Sequence, residues 1–285
     1  AQRPTDSRRL MTDRYAVIGN PIAHSKSPTI QVAFAASTGQ DMSYERLLAP
    51  LDGFRATVER FAAEGGLGLN VTIPFKLEAF ELATETTQRA RLAGAVNTLK
   101  RIDGGWLADN TDGAGLVRDL MHNHGIVVTG QAVAILGAGG AVRGILKPLL
   151  DAGAVSVAVS NRTMAKAEAI AAHFSRYGRV EAIAPEAFGE RRHAIVINAT
   201  SLGMGGAAVD AFPFPGTIFA PGAFAYDLIY SDRPTAFMRW AREHGAAGAA
   251  DGMGMLIEQA AESFSLWRGV RPDTRPVFAL LRPGA

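Results

Sequence analysis

The apolar residues of this chain recur with two different periods, which predict an alternation of strands and helices. Short apolar runs predict strands at residues 15–18, 44–48, 67–73 and 95–99, near Trp106, and at 132–136, 155–160, 194–198 and 225–229. Apolar residues spaced by three and four predict helices from Ser27, from Phe54, at 75–82 and 86–93, from Gly113, at 140–151 and at 252–267. In this order the elements indicate an α/β protein.

The architecture that this alternation favours is two α/β domains flanking a cleft. We expect a first domain at residues 11–112 and a second domain at residues 113–249, the second being a Rossmann-type doubly wound parallel sheet. No internal repeat is visible beyond the generic strand–helix alternation. A cleft between two such domains is a place where a substrate would meet a bound cofactor.

The stretch from Ala132 to Lys166 is the most informative part of the chain. An apolar strand ends at Gly137-Ala138-Gly139-Gly140-Ala141, an amphipathic helix follows, and a second, β-branched strand comes after it. Glycine between strand and helix suits a tight turn and lets phosphate oxygens approach N–H groups at the helix start. The stretch therefore predicts a dinucleotide site. The alternative is a tight turn that binds nothing, because Val142 breaks the full G-x-G-x-x-G spacing.

The residues after the second strand favour one dinucleotide. NAD-binding units usually carry Asp or Glu there, which accepts a hydrogen bond from the ribose 2′-hydroxyl. This chain has Asn161-Arg162, with Lys166 about one helical turn further on. Because guanidinium and ammonium groups attract a 2′-phosphate that a carboxylate would repel, we predict NADP as the cofactor. The alternative is that both cations are ordinary solvated charges.

Composition excludes several classes of protein. The 285 residues are 48% hydrophobic and 20% charged, which is typical of globular proteins. A net charge of +2 without a long basic run gives no indication of nucleic-acid binding. The absence of cysteine excludes disulfides and thiolate chemistry, and the six histidines are scattered, so we predict no metal site. No run of 18 apolar residues is free of charge, Pro and Gly, so we expect no membrane span.

Several polar residues are left unexplained by the apolar periods. Alternation places Asn70 and Thr72 on one face of the strand at 67–73, and Lys76 lies just past that strand. Ligands of α/β sheets bind at such strand ends, although a solvated strand face would give the same pattern. Ser25 and Ser27 flank a helix start, where the N–H groups favour an anion, unless Ser27 is simply an N-cap.

Three further polar side chains could each either bind a ligand or serve only the fold. Asn97 interrupts an apolar strand, and Asp112 precedes a helix that it could merely cap. Gln259 shares a helix face with apolar residues, so it either satisfies the backbone or reaches a ligand. Together, these hydroxyl, amide, ammonium and carboxylate groups suit a small polyhydroxylated carboxylic acid.

Eight segments containing these residues resemble motifs of shikimate dehydrogenase, in order, over nearly the whole chain. They are residues 19–28 (GNPIAHSKSP), 70–76 (NVTIPFK), 94–98 (GAVNT), 109–113 (DNTDG), 137–140 (GAGG), 161–163 (NRT), 198–204 (NATSLGM) and 251–259 (DGMGMLIEQ). The resemblance implies a reversible, NADP-dependent reduction of 3-dehydroshikimate to shikimate, in the cytoplasmic route to aromatic amino acids.

The resemblance also implies a role for each polar residue. Lys76 and Asp112 would form the catalytic pair. The substrate would be bound by Ser25, Ser27 and Tyr230 at its carboxylate and by Asn70, Thr72, Asn97 and Gln259 at its ring hydroxyls. Cofactor contacts would come from Gly137, Ala138, Gly139, Gly140, Ala141, Asn161, Arg162, Thr163, Lys166, Thr200, Met204 and Gly252. The C-terminal part, residues 250–285, would return to the first domain.

Two other functions stay open at this point. A quinate-using, NAD-dependent relative would share most motifs, although the acidic residue near Asn161 or the bulkier group at Ser27 that would favour it is absent. A non-catalytic NADP-binding regulator would be favoured by the loss of Lys76 or Asp112, and both are present. Many family members have Pro two places after the residue matching Tyr230, and Asp232 in that place leaves the direction of Tyr230 open. The assembly is expected to be a monomer or a homodimer.

Overall fold

The computed structural model describes residues 12–204, 209 and 212–282, and two six-stranded sheets organise them. The strands of the first sheet are β1 (Asp13–Gly19), β2 (Met42–Leu48), β3 (Gly66–Val71), β4 (Glu85–Thr86), β5 (Thr98–Ile102) and β6 (Gly105–Asp109). Their order across the sheet is β2-β1-β3-β5-β6-β4. Strand β1 is parallel to β2 and β3, whereas β5 is antiparallel to β3 and β6, so this sheet is mixed.

The second sheet is parallel throughout. Its strands are β7 (Ala132–Leu136), β8 (Ser156–Ser160), β9 (Val180–Ala182), β10 (His193–Asn198), β11 (Phe219–Asp227) and β12 (Gly248–Ala250). Their order is β12-β11-β10-β7-β8-β9. Strands β8 and β9 thus extend the sheet on one side of β7, and the later strands β10, β11 and β12 extend it on the other, so the strand order switches beside β7. Open α/β sheets bind their ligands at such a switch point. The predicted α/β class with a Rossmann-type doubly wound sheet is confirmed.

Ten α-helices connect these strands within the described residues. They are α1 (Ser27–Thr38), α2 (Phe54–Ala63), α3 (Lys76–Leu82), α4 (Gln88–Ala93), α5 (Asp112–Arg118), α6 (Gly140–Asp151), α7 (Met164–Phe174), α8 (Ala236–Glu243), α9 (Met253–Arg268) and α10 (Arg275–Leu281). A π-helical turn, Asp119–Asn123, continues α5. None of the helices described is long and apolar enough to cross a membrane.

Strand β7 shows why the apolar pattern was informative. Val133 and Ile135 pack into one core with Val142, Ile145 and the rest of the apolar face of α6. The intervening Ala134 and Leu136 pack into a second core on the other side of the sheet. A strand buried on both faces needs an unbroken apolar run, and the run at 132–136 forms such a strand.

The sequence misplaced several boundaries. The helix predicted at 86–93 begins at Gln88, because the Thr87 side chain caps it by accepting from the Ala90 N–H. The strand predicted at 95–99 begins only at Thr98. The strand predicted at 225–229 starts earlier, at Phe219, and ends at Asp227. The short strands β4, β9 and β12 and the helices α7, α8 and α10 were not predicted.

Helix α9 contacts both halves of the molecule. It crosses α5 so closely that a Cβ on Gly115 would lie 2.7 Å from the backbone nitrogen of Gln259. At its other end, Phe264 packs edge-on against Phe34 of α1, with 5.9 Å between ring centroids. Trp267 Nε1 donates to the Leu99 carbonyl of β5 at 3.0 Å. The helix therefore presents Gln259 at the junction between the two sheets.

Candidate active site

A cleft of about 400 Å³ lies between the two sheets. Its lining includes nine residues that the sequence had marked for the substrate or the reaction: Ser25, Ser27, Asn70, Thr72, Lys76, Asn97, Asp112, Tyr230 and Gln259. From the side of the second sheet the cleft is lined by Ala141, at the start of α6, and by Leu228 and Gly252. Side chains that lie far apart in the sequence thus meet in one cavity.

Lys76 and Asp112 form an ion pair in this cleft. Lys76 is the first residue of α3 and Asp112 is the first residue of α5, and Lys76 Nζ donates to Asp112 Oδ2 at 2.5 Å. The aspartate is buried, whereas the lysine side chain retains 26% of its exposure. A buried carboxylate therefore holds the ammonium group while one side of that group stays accessible from the cleft.

Asn97 holds the other oxygen of Asp112. Asn97 Nδ2 donates to Asp112 Oδ1 at 2.8 Å, and Asn97 Oδ1 accepts from the Thr111 N–H at 2.9 Å. Gln259 Oε1 accepts from Asn97 Nδ2 at 3.2 Å and from the Thr111 hydroxyl at 3.3 Å. Because both atoms of the Asn97 amide are engaged, this side chain orients Asp112 as well as lining the cleft.

Asn70 projects from β3 into a buried polar network behind the cleft. Tyr44 donates its hydroxyl to Asn70 Oδ1 at 2.7 Å, and Asn70 Nδ2 donates to Ser263 Oγ at 2.9 Å. Leu69 and Val71 pack into the core on the opposite face, as the alternation predicted. Burial raises the pKa of Tyr44 well above its usual value, so the phenol stays a neutral donor. The Asn70 amide is therefore fixed in orientation by its protein partners.

The start of α1 differs from the expected capping arrangement. Ser27 is the first helical residue, and Lys26 occupies the N-cap position without a capping side-chain bond. The Ser25 hydroxyl instead accepts from the Ser27 N–H at 3.3 Å. The interpretation of Ser27 as an N-cap is therefore wrong. Ser27 is buried and both serines line the cleft, so their hydroxyls remain beside the space where an anion would lie.

The resemblance implies that Ser25 and Ser27 bind the substrate carboxylate. Replacing both by alanine is then expected to raise the Michaelis constant for shikimate at least about 100-fold, because two charge-assisted hydrogen bonds of roughly 1.5–3 kcal/mol each would be lost. The dissociation constant of NADP should stay within about twofold. Steady-state kinetics and NADP titration measure both quantities, with exposed Ser175→Ala as the matched control. A lower melting temperature with unchanged shikimate kinetics would show that the serines only support the helix start.

The loop after β11 brings Tyr230 to the cleft. Tyr230 lines the cavity, and burial raises its pKa, so its hydroxyl also remains a neutral donor. An ion pair of 3.3 Å between Lys26 Nζ and Asp232 Oδ1 links this loop to the segment that holds Ser25 and Ser27. The Ser231 N–H donates to Asp251 Oδ2 at 3.1 Å. One exposed ion pair therefore spans the two sides of the cleft next to Tyr230.

The glycine-rich turn lies at the carboxyl end of β7, beside the cleft. Gly137 has φ of +114°, and a Cβ there would lie 2.8 Å from the Ala199 carbonyl carbon, so only glycine fits. Gly139 is the N-cap of α6 and Gly140 its first residue, and a Cβ on either would meet nothing within 4 Å. Within this turn the fold needs glycine only at position 137, so the open space at Gly139 and Gly140 is available to a ligand.

The remaining predicted cofactor residues follow the neighbouring strands. Asn161, Arg162 and Thr163 come directly after β8, and Asn161 Nδ2 donates to the Thr163 carbonyl at 3.0 Å. Arg162 and Lys166 are exposed, and neither makes an ion pair within the described part of the chain. Thr200 and Met204 follow β10, with Met204 54% exposed. Of this group only Ala141 and Gly252 line the cleft itself.

Several buried polar side chains that bond to Asn70, Asn97 or Gln259 were not predicted. Thr111 bonds to both Asn97 and Gln259, and the side chains that bond to Asn70 are Gln31, Tyr44, Thr98 and Ser263. The one signal in the sequence was that Ser263 shares a helix face with Gln259, one turn away. Within the described residues, no group of three or more His, Asp or Glu side chains could hold a metal ion.

A doubly wound parallel sheet with a glycine turn, opening on a cleft that holds a lysine–aspartate pair, is the arrangement of a nicotinamide-dependent oxidoreductase. Three family models match the chain: "Shikimate dehydrogenase substrate binding domain" at residues 17–99, "Shikimate / quinate 5-dehydrogenase" at residues 120–202 and "Shikimate 5'-dehydrogenase C-terminal domain" at residues 252–281. The chain belongs to the shikimate dehydrogenase family.

Individual proteins are similar to this chain over nearly its whole length. The chain is 55% identical over 272 residues to the shikimate dehydrogenase (NADP(+)) of Thioalkalivibrio sulfidiphilus, covering 95% of this chain and 98% of that one. Among solved structures it is similar to an Ael1 enzyme from Pseudomonas putida, with 48% identity, a TM-score of 0.88 and coverage of 94% and 98%. The shikimate 5-dehydrogenase of Thermus thermophilus, solved with NADP(H) and shikimate, is 33% identical, with a TM-score of 0.82 and coverage of 92% and 96%.

Proposed function

We propose that this protein catalyses the reversible, NADPH-dependent reduction of 3-dehydroshikimate to shikimate, in the biosynthesis of chorismate and aromatic amino acids. The observation that carries the proposal is the cleft in which nine predicted residues meet, with Lys76 Nζ 2.5 Å from Asp112 Oδ2. The relative at 55% identity is named for NADP(+) and shikimate, and the Thermus thermophilus structure was solved with both molecules.

The chemistry of the second sheet fits NADP. Gly139 and Gly140 leave the start of α6 open, where N–H groups and the helix dipole favour a diphosphate. Exposed Arg162 and Lys166, together with Asn161 and Thr163, follow the next strand and would hold the 2′-phosphate. Ala141, Thr200, Met204 and Gly252 would line the rest of the cofactor site. When bound, the cofactor supplies the hydride and the protein supplies orientation and charge.

The substrate side would use the first sheet. Ser25, Ser27 and Tyr230 would bind the carboxylate, and Asn70, Thr72, Asn97 and Gln259 would face the ring hydroxyls. In this division residues 11–112 and 250–285 form the substrate-binding domain, and residues 113–249 form the NADP-binding domain. Two contacts of α9 with the first domain support the return of the C-terminal part: Phe264 packs against Phe34, and Trp267 Nε1 donates to the Leu99 carbonyl.

Lys76 is suited to the proton transfer. As a ketone is reduced, negative charge grows on its oxygen, and a nearby ammonium group both stabilises that charge and donates the proton. Asp112 holds Lys76 through Oδ2, while Asn97 holds Asp112 Oδ1, so the pair is oriented before substrate binds. In the reverse direction, neutral Lys76 would accept the proton from the shikimate hydroxyl.

The direct test follows NADPH absorbance with 3-dehydroshikimate and, in the reverse direction, NADP with shikimate. Quinate and NAD are assayed in parallel. We expect turnover with the shikimate pair and NADP(H), and slower turnover with quinate or NAD. Binding of NADP without turnover would instead support the regulator hypothesis, and preference for quinate with NAD would support the other relative.

Replacing Gln259 by leucine is expected to raise the Michaelis constant for shikimate about 5- to 50-fold while lowering the melting temperature by only a few degrees. The amide would lose its contact with the substrate, and Asn97 would keep its bonds to Asp112 and Thr111. Steady-state kinetics and thermal melting measure the two effects, with Gln131→Leu beside β7 as the control. Unchanged shikimate kinetics would remove Gln259 from the substrate site.

The cellular setting is part of the proposal. We place the enzyme in the cytoplasm, as the family resemblance implies, and expect it to act as a monomer or a homodimer without nucleic-acid or membrane partners. Cell fractionation tests the location, and light scattering of the purified protein distinguishes the two assemblies.

A further inference from the structure

Asp227 is a buried carboxylate that the proposed mechanism does not use. It is the last residue of β11 and is 1% exposed. Its Oδ1 accepts from Asn198 Nδ2 at 2.9 Å and from the Ile229 N–H at 3.1 Å. Its Oδ2 is buried and has no hydrogen-bond partner within the described residues. Such a group is costly to bury, so its presence calls for a physical reason.

Asp227 lies at the cofactor side of the cleft. Asn198 ends the neighbouring strand β10, and its Oδ1 accepts from the N–H and the hydroxyl of Thr200 at 3.1 and 2.7 Å. Leu228, the residue after Asp227, lines the cleft, and its carbonyl oxygen would lie 2.3 Å from a Cβ on Gly252. The Asn198–Asp227 pair therefore joins the two loops that bound this side of the cavity.

The surroundings of Asp227 do not neutralise it. Burial raises its pKa to about 6, and the nearby Thr235 hydroxyl, the Ile229 N–H and the Asn198 amide offset this only in part. Asp251 adds repulsion, although Arg282 pairs with Asp251. No cation forms an ion pair with Asp227 within the described residues. At neutral pH the protein thus holds a largely ionised carboxylate without a partner of opposite charge.

The backbone of Leu228 and Gly252 would separate this charge from a bound nicotinamide ring. A ring placed to supply a hydride to the cleft would be held on the second-sheet side by Ala141, Leu228 and Gly252. The backbone of two of these residues packs directly beside Asp227, since a Cβ on Gly252 would also lie 3.3 Å from the Asp227 carbonyl oxygen. The oxidised ring carries a positive charge and the reduced ring is neutral, so the carboxylate interacts differently with the two forms.

We propose that Asp227 is a positioning residue whose buried carboxylate makes this site bind oxidised NADP more tightly, relative to NADPH, than a neutral residue would. The proposal rests on the proposed NADP(H)-dependent function and deepens it. Asparagine at position 227 would keep the Oδ1 bonds from Asn198 and Ile229 but would remove the charge, so the isosteric change separates charge from geometry.

The test measures dissociation constants of NADP and NADPH by calorimetry at about pH 8, without any shikimate. In Asp227→Asn the dissociation constant of NADP divided by that of NADPH should rise by on the order of 3- to 30-fold. This is the effect expected when one charge acts on another through surroundings that partly screen it. Asp103→Asn, which makes the same charge change in the exposed turn between β5 and β6, should leave the ratio unchanged. Equal losses for both forms, or no change, would overturn the proposal.

A second measurement uses the wild-type protein. As the pH rises from about 5 to about 8 the Asp227 carboxyl loses its proton near 6, so the relative preference for NADP should increase in wild type and stay flat in Asp227→Asn. The 2′-phosphate also titrates near this range, but it is present in both forms and cancels in the ratio. A ratio that does not change with pH in wild type would overturn the proposal.

Thermal melting provides a readout that does not depend on ligand. Because the folded-state pKa of Asp227 is raised, folded protein binds more protons than unfolded protein between about pH 4 and 6, and this group's contribution to stability falls as pH rises through that window. Asp227→Asn should therefore melt at or above the wild-type temperature at about pH 8. A clearly lower melting temperature at that pH, with both cofactor forms bound less tightly, would make Asp227 a purely structural residue.

Discussion

Replacing Lys76 by alanine is expected to lower kcat for 3-dehydroshikimate reduction by about 10²–10⁴-fold, which is the usual contribution of a positioned acid–base group. The reason is that the variant would lose both the proposed proton donor and the positive charge proposed to stabilise the developing oxyanion. The Michaelis constant for 3-dehydroshikimate should change much less, because the carboxylate and ring hydroxyls keep their proposed partners. Stopped-flow or steady-state rates with NADPH measure the effect.

The controls for Lys76 separate catalysis from folding. Asp112 keeps its bond from Asn97 when the lysine is removed, so circular dichroism and NADP binding should be close to wild type. Lys147→Ala removes an ion pair of similar type on α6, with Asp151, and should leave kcat unchanged. A Lys76→Ala enzyme with normal kcat and a greatly raised Michaelis constant would make Lys76 a binding residue, and the proton donor would have to be another group.

The fold was predictable where burial alone determines the pattern. A strand that packs into a core on each face, such as β7, needs an unbroken apolar run, and a helix covering a sheet needs an apolar face like that of α6. The short strands β9 and β12 carry no such signal, since three residues are too few for either period. Helix α4 shows a further limit, because the side chain of Thr87 rather than the apolar pattern decides where it begins.

The site was predictable only as a set of residue types at strand ends and helix starts. Lys76 and Asp112 each had an ordinary interpretation, as a surface charge and as a cap, and only the ordered motifs of a family joined them. The contacts that orient them could not be predicted, because Asn97, Thr111 and Gln259 meet through long-range packing of α9 on α5. The close approach at Gly115 that permits this packing has no local signature, as a glycine inside a helix usually only weakens it.

Replacing Arg162 by alanine is expected to weaken NADP binding about 10- to 150-fold, which corresponds to the loss of a charge-assisted contact of roughly 1.5–3 kcal/mol. Arg162 is exposed after β8, so it is available to a 2′-phosphate at the position where NAD-binding units carry an acidic residue. NAD lacks that phosphate, and its affinity should therefore change by less than about threefold. Calorimetric titration of both dinucleotides measures the difference directly.

Variants of Lys166 test whether Arg162 and Lys166 both contribute to binding of the 2′-phosphate. Lys166→Ala should give a loss of the same kind, and the double variant should deviate from the product of the two single effects, because both groups are proposed to contact one phosphate. Arg242→Ala, an exposed arginine on α8, serves as the control for net charge. Raising the salt concentration should weaken NADP binding more in wild type than in the double variant, since screening acts on the charges that remain. Equal losses of NADP and NAD in Arg162→Ala would mean that the guanidinium supports the adenine or the loop, and the selectivity for NADP would then have to come from Asn161, Thr163 and Lys166.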